Sequence, residues 1–265
     1  MPLQISFEDL ESLIRERLKA FYDRRIEILE DLTLEDLTSK NLYLFRATGI
    51  AQASQLVQEL MKSRLTKSDE TIFGEEFFEQ IAKAVGNAEK AEQVGMDLVI
   101  QTDDKYIVME MKSADNWKNA RMGRGILKDF GDAYHDFQVN AAQQEFVAIL
   151  GQATGQTNWD GTSEDGHTYL IRSGERLWET ITGDTDFYLK LTRLMRDYPL
   201  DFRTEYETAW AETFDRLDKA FAIKFVSGGC IDWEELARAN SAYIGIRKSR
   251  RKTSKRKTRR NRKPR

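Results

Sequence analysis

Two acids and a lysine stand out in the sequence. Asp97 and Glu110 lie in two apolar runs, 96–100 and 106–111, with Thr102-Asp103-Asp104-Lys105 between them, and Lys112 directly follows the second. The runs are short and β-rich and the intervening residues favour a turn, so the segment reads as a hairpin. Side chains alternate along a strand, which sets Glu110 and Lys112 on one face and Met109 and Met111 on the other. Two residue rises put the acid and the lysine about 7 Å apart at the backbone, and the partner strand brings the Asp97 carboxylate to the same edge. Asp97 and Glu110 then form a hard oxygen site suited to Mg²⁺, which keeps its waters and accepts phosphate oxygens. Such an ion acidifies a water and neutralises charge on a pentacovalent phosphorane, while the lysine orients or deprotonates the nucleophile.

Glu-x-Lys alone carries little, since about one or two arise by chance in a chain of this length. Here Glu110-Met111-Lys112 is the one occurrence, and it lies in an apolar strand with an acid a hairpin upstream. Spacing fits a metal-dependent nuclease and an ion pair closing a strand at the surface equally well. Asp103-Asp104-Lys105 matches Asp-x-Lys, but its place in the turn makes it a decoy.

The composition narrows the classes. With 265 residues, 40% hydrophobic and 32% charged, the chain has enough apolar surface for a core. No apolar run approaches the ~20 residues of a membrane span, and the first residues show no secretory h-region, so the expectation is a cytoplasmic protein. One cysteine, Cys230, excludes an internal disulfide and a thiolate-rich zinc cluster, and two histidines, His135 and His167, disfavour histidine-based metal sites. The net charge of −3 hides a division: residues 247–265 carry 13 Lys/Arg and no acid, leaving 28 basic against 44 acidic residues in 1–246, near −16. The tail cannot bury apolar surface and is expected to be disordered, binding phosphates through counterion release.

The elements that must position the hairpin follow from periodicity. Ser6 and Asp9 form a cap before helically spaced Leu10, Ile14, Leu18 and Leu29, and Thr33 and Asp36 restart the pattern. Leu56, Leu60 and Leu65 mark another helix. Ser68 is expected to cap a further one, with Phe73, Phe77, Ile81 and Val85 inward and Gly86 as its stop. A helix is expected over about 123–142, a buried strand over 146–150, a polar loop up to His167, a strand over 168–171, and about four helices to residue 240. Trp159, Trp178, Trp210 and Trp233 read as core, and Cys230 as a buried turn residue. Strands clustered centrally and flanked by helices give an α/β fold with one central mixed sheet. Residues 1–246 are expected to form a single nuclease domain, comprising an N-terminal helical region (1–90), a catalytic α/β core (91–173) and a C-terminal helical region (174–246).

The frame Gly95-Met96-Asp97 … Glu110-Met111-Lys112 resembles the PD-(D/E)XK nucleases, with Met96 in place of the proline. Further stretches resemble the PmeII-type family of type II restriction endonucleases. They are Asn41-Leu42-Tyr43-Leu44-Phe45-Arg46-Ala47, Asp69-Glu70-Thr71-Ile72-Phe73-Gly74-Glu75, Lys112-Ser113-Ala114-Asp115-Asn116-Trp117, Gly174-Glu175-Arg176-Leu177-Trp178-Glu179 and Ile231-Asp232-Trp233-Glu234. The resemblance covers roughly residues 1–241 and leaves out the basic tail. It implies a restriction-endonuclease-like fold and a homodimeric, Mg²⁺-dependent enzyme that cuts both strands of double-stranded DNA at a short specific site and is paired with a DNA methyltransferase. Where that family has a small residue or Ile, this chain has Glu110, the superfamily's more usual acid. In the superfamily a helix before the hairpin often supplies another acid, and Glu75 is favoured here over Glu76. An acid stabilising a helix N-terminus is the plainer account of either. Ser113, Asn116, Lys118, Arg121 and Arg124 follow the lysine closely and are candidate DNA contacts, the arginines through guanine edges. A repair or nicking nuclease, and a non-catalytic nucleic-acid-binding protein that uses its tail, remain open alternatives.

Overall fold

The computed structural model describes residues 5–91, 95–114, 120–139, 144–164 and 166–242. Helix α1 (Phe7–Asp31) starts where the Ser6 hydroxyl accepts the Asp9 N–H, with Glu8 and Asp9 at the positive end of the helix dipole. The short α2 (Leu34–Thr38) begins with a reciprocal Thr33–Asp36 capping box. Next come α3 (Leu42–Ala47) and α4 (Ala53–Phe73). The expected new start at Ser68 does not occur: its hydroxyl bonds back to the Arg64 carbonyl, and α4 runs on. A π turn (Gly74–Phe78), closed by the Glu79 N–H on the Gly74 carbonyl, leads into α5 (Glu79–Gly86). The extra residue of this turn changes the phase of everything after it. Gly86 is the last residue of α5, and Asn87 leaves the helix in the left-handed region with φ 47°.

The sheet follows. Strands β1 (Glu89–Lys90), β2 (Leu98–Gln101) and β3 (Lys105–Lys112) are antiparallel. Helix α6 (Ala120–Val139) crosses over to β4 (Glu145–Gln152), parallel to β3. Strand β6 (Thr168–Ser173) lies parallel to β4, and β5 (Trp159–Thr162) closes the edge antiparallel to β6. The order β1-β2-β3-β4-β6-β5 is the expected central mixed sheet with helices on both faces. β5 corrects the expected loop: apart from Trp159 its residues are polar or glycine, because an edge strand with an exposed pattern has no apolar face to advertise.

One sheet face, with Leu98, Ile100, Ile107, Met109 and Met111, packs under α1, α5, α7 (Glu175–Thr182) and α8 (Phe187–Met195). The other, with Val108, Phe146, Ala148 and Leu150, packs on Ile126, Phe130 and Ala133 of α6. A second, helical core joins the far end of α1 and α4 to α9 (Tyr198–Phe225) and α10 (Trp233–Ser241), between which runs a small hairpin, β7 (Val226–Ser227) and β8 (Cys230–Ile231). Trp178 is buried, and Trp210 and Trp233 pack partly buried against this second core. Trp159 departs from expectation at 45% exposed, because it sits on the edge strand. Cys230, expected to be buried, is exposed in its two-residue strand. No helix among the described residues is long and apolar enough to cross a membrane.

Candidate active site

The hairpin register pairs Leu98 with Met109 and Ile100 with Ile107, and the turn closes where the Thr102 N–H meets the Lys105 carbonyl at 2.9 Å. Gly95 swings the chain into β2 with φ 86°, and a Cβ there would lie 2.6 Å from Asp129 Oδ2, so both space and backbone demand glycine. Asp97 stands just before β2, not mid-strand as the sequence suggests. Its N–H donates to the Met109 carbonyl at 3.0 Å, and its Oδ2 accepts the Met111 N–H at 2.7 Å. The carboxylate is thus anchored on the strand that carries the other two groups.

Glu110 and Lys112 share a face as alternation requires, with Lys112 Nζ 2.6 Å from Glu110 Oε1. The other carboxylate oxygen, Oε2, is buried without a hydrogen-bond partner among the described residues. Burial pushes the Glu110 carboxyl above its ordinary range; the Lys112 ammonium opposes the rise, and the negative charges of Asp97 and Asp129 add to it.

A cleft of about 370 Å³ opens between the end of β3 and the helix that runs through the π turn. Asp97, Lys112 and Ser113 line one wall, and Glu75 and Glu79 line the other. Glu75 is exposed and Glu76 is not among the lining residues, as is also true of Glu110, which stands beside the cleft through its contact with Lys112. Glu79 was not anticipated. Its carboxyl is pushed up to about 7, first by burial and then by the Asp97 charge, with Glu75 adding and Lys83 and Lys112 opposing. The signal that would have found it is its place one helical turn after Glu75, on the same side of the helix. Gly74 lets this helix approach: a Cβ there would lie 2.6 Å from Ser113 Oγ, which donates to the Glu70 carbonyl at 2.9 Å.

Of the candidate DNA contacts, Ser113 lines the cleft with its hydroxyl engaged, and Arg124 is exposed on α6. Asn116 and Lys118, the side chain of Arg121, and the tail 247–265 lie outside the described residues. Asp103 and Asp104 are exposed in the turn, away from the cleft-lining set, as expected of a decoy. Among the described residues no three His, Cys, Asp or Glu groups converge as they would around a metal ion.

A family model described as Type II restriction endonuclease EcoO109I matches residues 8–200, a span from α1 into α9 that includes the whole hairpin and both cleft walls. This is not the PmeII-type family that the short motifs resemble, and the two agree at the level of a type II restriction endonuclease. No curated protein matches the chain significantly.

Proposed function

From the chain's membership of the EcoO109I family of type II restriction endonucleases, enzymes that hydrolyse DNA site-specifically, we propose that Asp97, Glu110 and Lys112, joined by Glu79 and Glu75, are its catalytic centre and that the reaction is Mg²⁺-dependent cleavage of double-stranded DNA at a short specific site. The observation that carries this reading is the gathering of Glu79, Asp97 and Lys112 around one open cleft, where the Asp97 charge helps to push the Glu79 carboxyl up. Packing alone gives no reason to hold such groups together.

The donor set fits a divalent cation. Its carboxylates are hard oxygen ligands, two of them are raised above their ordinary range by burial and by the Asp97 charge, and Glu110 keeps a buried oxygen without a hydrogen-bond partner among the described residues. Asp97 and Glu110 would hold the ion, and Glu79 faces it from the opposite wall of the cleft without joining them in a three-acid cluster. When bound, Mg²⁺ supplies charge neutralisation at the phosphate and a more acidic water. Lys112 reaches the cleft from beside Glu110 and is placed to bind a non-bridging phosphate oxygen or to hold the attacking water. The Met111 N–H fixes Asp97, so the acid does not turn away from the scissile phosphate.

The rest of the reading rests on the family and on charge. Cutting both strands at matching positions is met by a twofold dimer, a site-specific nuclease inside a cell needs a methyltransferase that protects host sites, and a cytoplasmic enzyme would meet invading DNA. Residues 1–246 act as one nuclease unit, with Ser113, Asn116, Lys118, Arg121 and Arg124 approaching the duplex and the 13 cations of 247–265 acting on its phosphates. Incubating the protein with phage DNA and Mg²⁺ tests the reading. Discrete fragments that disappear in Lys112→Ala are expected; a smear would remove site specificity, and intact DNA would remove the enzyme.

A further inference from the structure

Gln152 ends β4 with 0% of its surface exposed. In the sheet register it lies between Lys112 on β3 and Ser173 on β6, so the three side chains leave the same face in one row. A buried amide in such a row needs partners at both its ends. One end meets the Ser173 hydroxyl. The other, placed as Nε2, has no partner among the described residues.

The Ser173 hydroxyl decides which end is which. It has one proton, and it stands 2.6 Å from the Thr157 carbonyl, which can only accept. That proton therefore goes to Thr157, and toward Gln152 the serine oxygen can only accept. The amide must then present its NH₂ to Ser173. Nitrogen and oxygen of a glutamine amide have nearly the same shape, so the reversal moves no other atom. It turns the orphaned buried atom from a donor into a carbonyl oxygen, away from Ser173, in a row whose other neighbour is Lys112 on β3. An ammonium has three protons, and Glu110 Oε1 takes one of them.

We propose that Gln152 is a positioning residue for Lys112: its amide donates to Ser173 and offers its carbonyl to the ammonium, so that Lys112 is held between Glu110 and Gln152. The effect on cleavage rests on the nuclease reading above; the orientation of the amide does not. Ser173, tied to the loop after β4 by Thr157 and by the Asn158 Oδ1 that accepts its N–H at 3.1 Å, serves as the anchor.

The orientation is read on the metal-free full-length wild type by nuclear Overhauser contacts from the Gln152 side-chain NH₂. Contacts to the Ser173 β protons are expected, and contacts to the Lys112 ε protons instead would overturn the assignment. The role is read by single-turnover cleavage and by duplex affinity measured in Ca²⁺. Gln152→Met should slow cleavage by up to about 100-fold, the scale on which a misplaced reacting group costs rate, with duplex affinity unchanged. Ser173→Ala should slow it less, and should add nothing in the Gln152→Met background. Wild-type rates in Gln152→Met, or an equal loss of rate and affinity, would overturn the positioning role. A wild type that never cuts would count against the nuclease reading, and the Overhauser contacts would still decide the orientation.

Discussion

Two places in the molecule collect charge, and they treat it differently. In the helical layer, Arg25 of α1 meets Asp69 of α4 through two parallel bonds of 2.9 Å, Nε to Oδ1 and Nη2 to Oδ2. The guanidinium lies 3.8 Å above the Tyr206 ring, with Phe21 and Tyr22 at 5.2 and 5.5 Å. Every side of that charge has an answer, and the pair ties α1, α4 and α9 together. At the cleft, Glu75, Glu79 and Asp97, with Glu110 beside them, face the ammonium of Lys112 and, from α5, that of Lys83, and two of the carboxyls, Glu79 and Glu110, stand above their ordinary range, first through burial and then through the Asp97 charge. Folding has resolved the first cluster and left the second unbalanced. That difference is what the proposed catalytic role of the cleft rests on, apart from any relative.

The sharpest way to break the contrast is to remove one group from each place. Asp97→Ala and Lys112→Ala should each lower cleavage by about 10²–10³-fold or more, the scale of losing one electrostatic group from a reacting centre, while the melting temperature falls less than in Arg25→Met, because the Glu110 carboxyl left without Lys112 is already raised by burial and takes up a proton. Arg25→Met should do the reverse. It leaves Asp69 partly buried and alone, which costs about 2–3 kcal/mol, less than a fully buried pair because both partners keep some exposure. Thermal unfolding and cleavage rates on the same three variants settle it. A Lys112→Ala variant as unstable as Arg25→Met would make the cleft cluster structural after all.

Glu79→Gln sharpens the comparison through pH. The folded protein binds the Glu79 proton more tightly than the unfolded chain does, since the carboxyl is raised to about 7. Stability therefore falls as pH rises from the ordinary carboxylate range through 7, and at pH 8 the ionised group carries its full cost. The group is partly exposed, so solvent screening limits that cost to about 1–2 kcal/mol. Glu79→Gln should raise stability by that amount at pH 8 and by nothing near pH 4, where Glu79 is protonated in both states. With Mg²⁺ present the gain should shrink, because the ion answers the same charge. Denaturant midpoints at the two pH values, with and without Mg²⁺, check each effect. A gain that ignores both pH and metal would mean that Glu79 stands outside the cluster.

What could be read in the sequence divides along physical lines. The hairpin was legible because β-branched runs flank a polar turn, and strand alternation then fixed Glu110 and Lys112 on one face without further knowledge. The caps at Ser6 and Thr33 were legible for the same local reason. Glu79 was not: its spacing of four from Glu75 was visible, but only the packing of this helix against the hairpin shows that the Glu75–Glu79 side, and not Glu76, faces Asp97 and Lys112. Strand β5 and the exposure of Trp159 were hidden because an edge strand owes its existence to pairing with β6, not to its own pattern. Gln152 reads in sequence as the polar end of an apolar run. Only the register that sets it beside Lys112 gives it meaning.

Gly74 offers the smallest effect and the finest test of what the cleft wall is for. Its φ of −59° is ordinary for a helix, so alanine meets no backbone strain. A Cβ would lie 2.6 Å from Ser113 Oγ, however, and the hydroxyl must swing away from the Glu70 carbonyl it now holds at 2.9 Å. Losing that bond costs about 1 kcal/mol, and replacing a helical glycine with alanine returns about the same. Gly74→Ala should therefore leave stability within about 1 kcal/mol of the wild type. The same hydroxyl, together with the bond from Thr154 Oγ1 to the Ser113 carbonyl at 3.0 Å, sets where the residue after Lys112 leaves the strand. Freeing it lets the cleft wall drift, so cleavage should slow by a few-fold to about tenfold, well short of the loss from removing a reacting group. Ser113→Gly in the Gly74→Ala background removes the clash and the hydroxyl together. If it fails to restore some of the rate, the close approach of α4 to the Lys112 strand serves packing alone. Partial recovery would show that the helix holding Glu75 and Glu79 is set at its distance for catalysis.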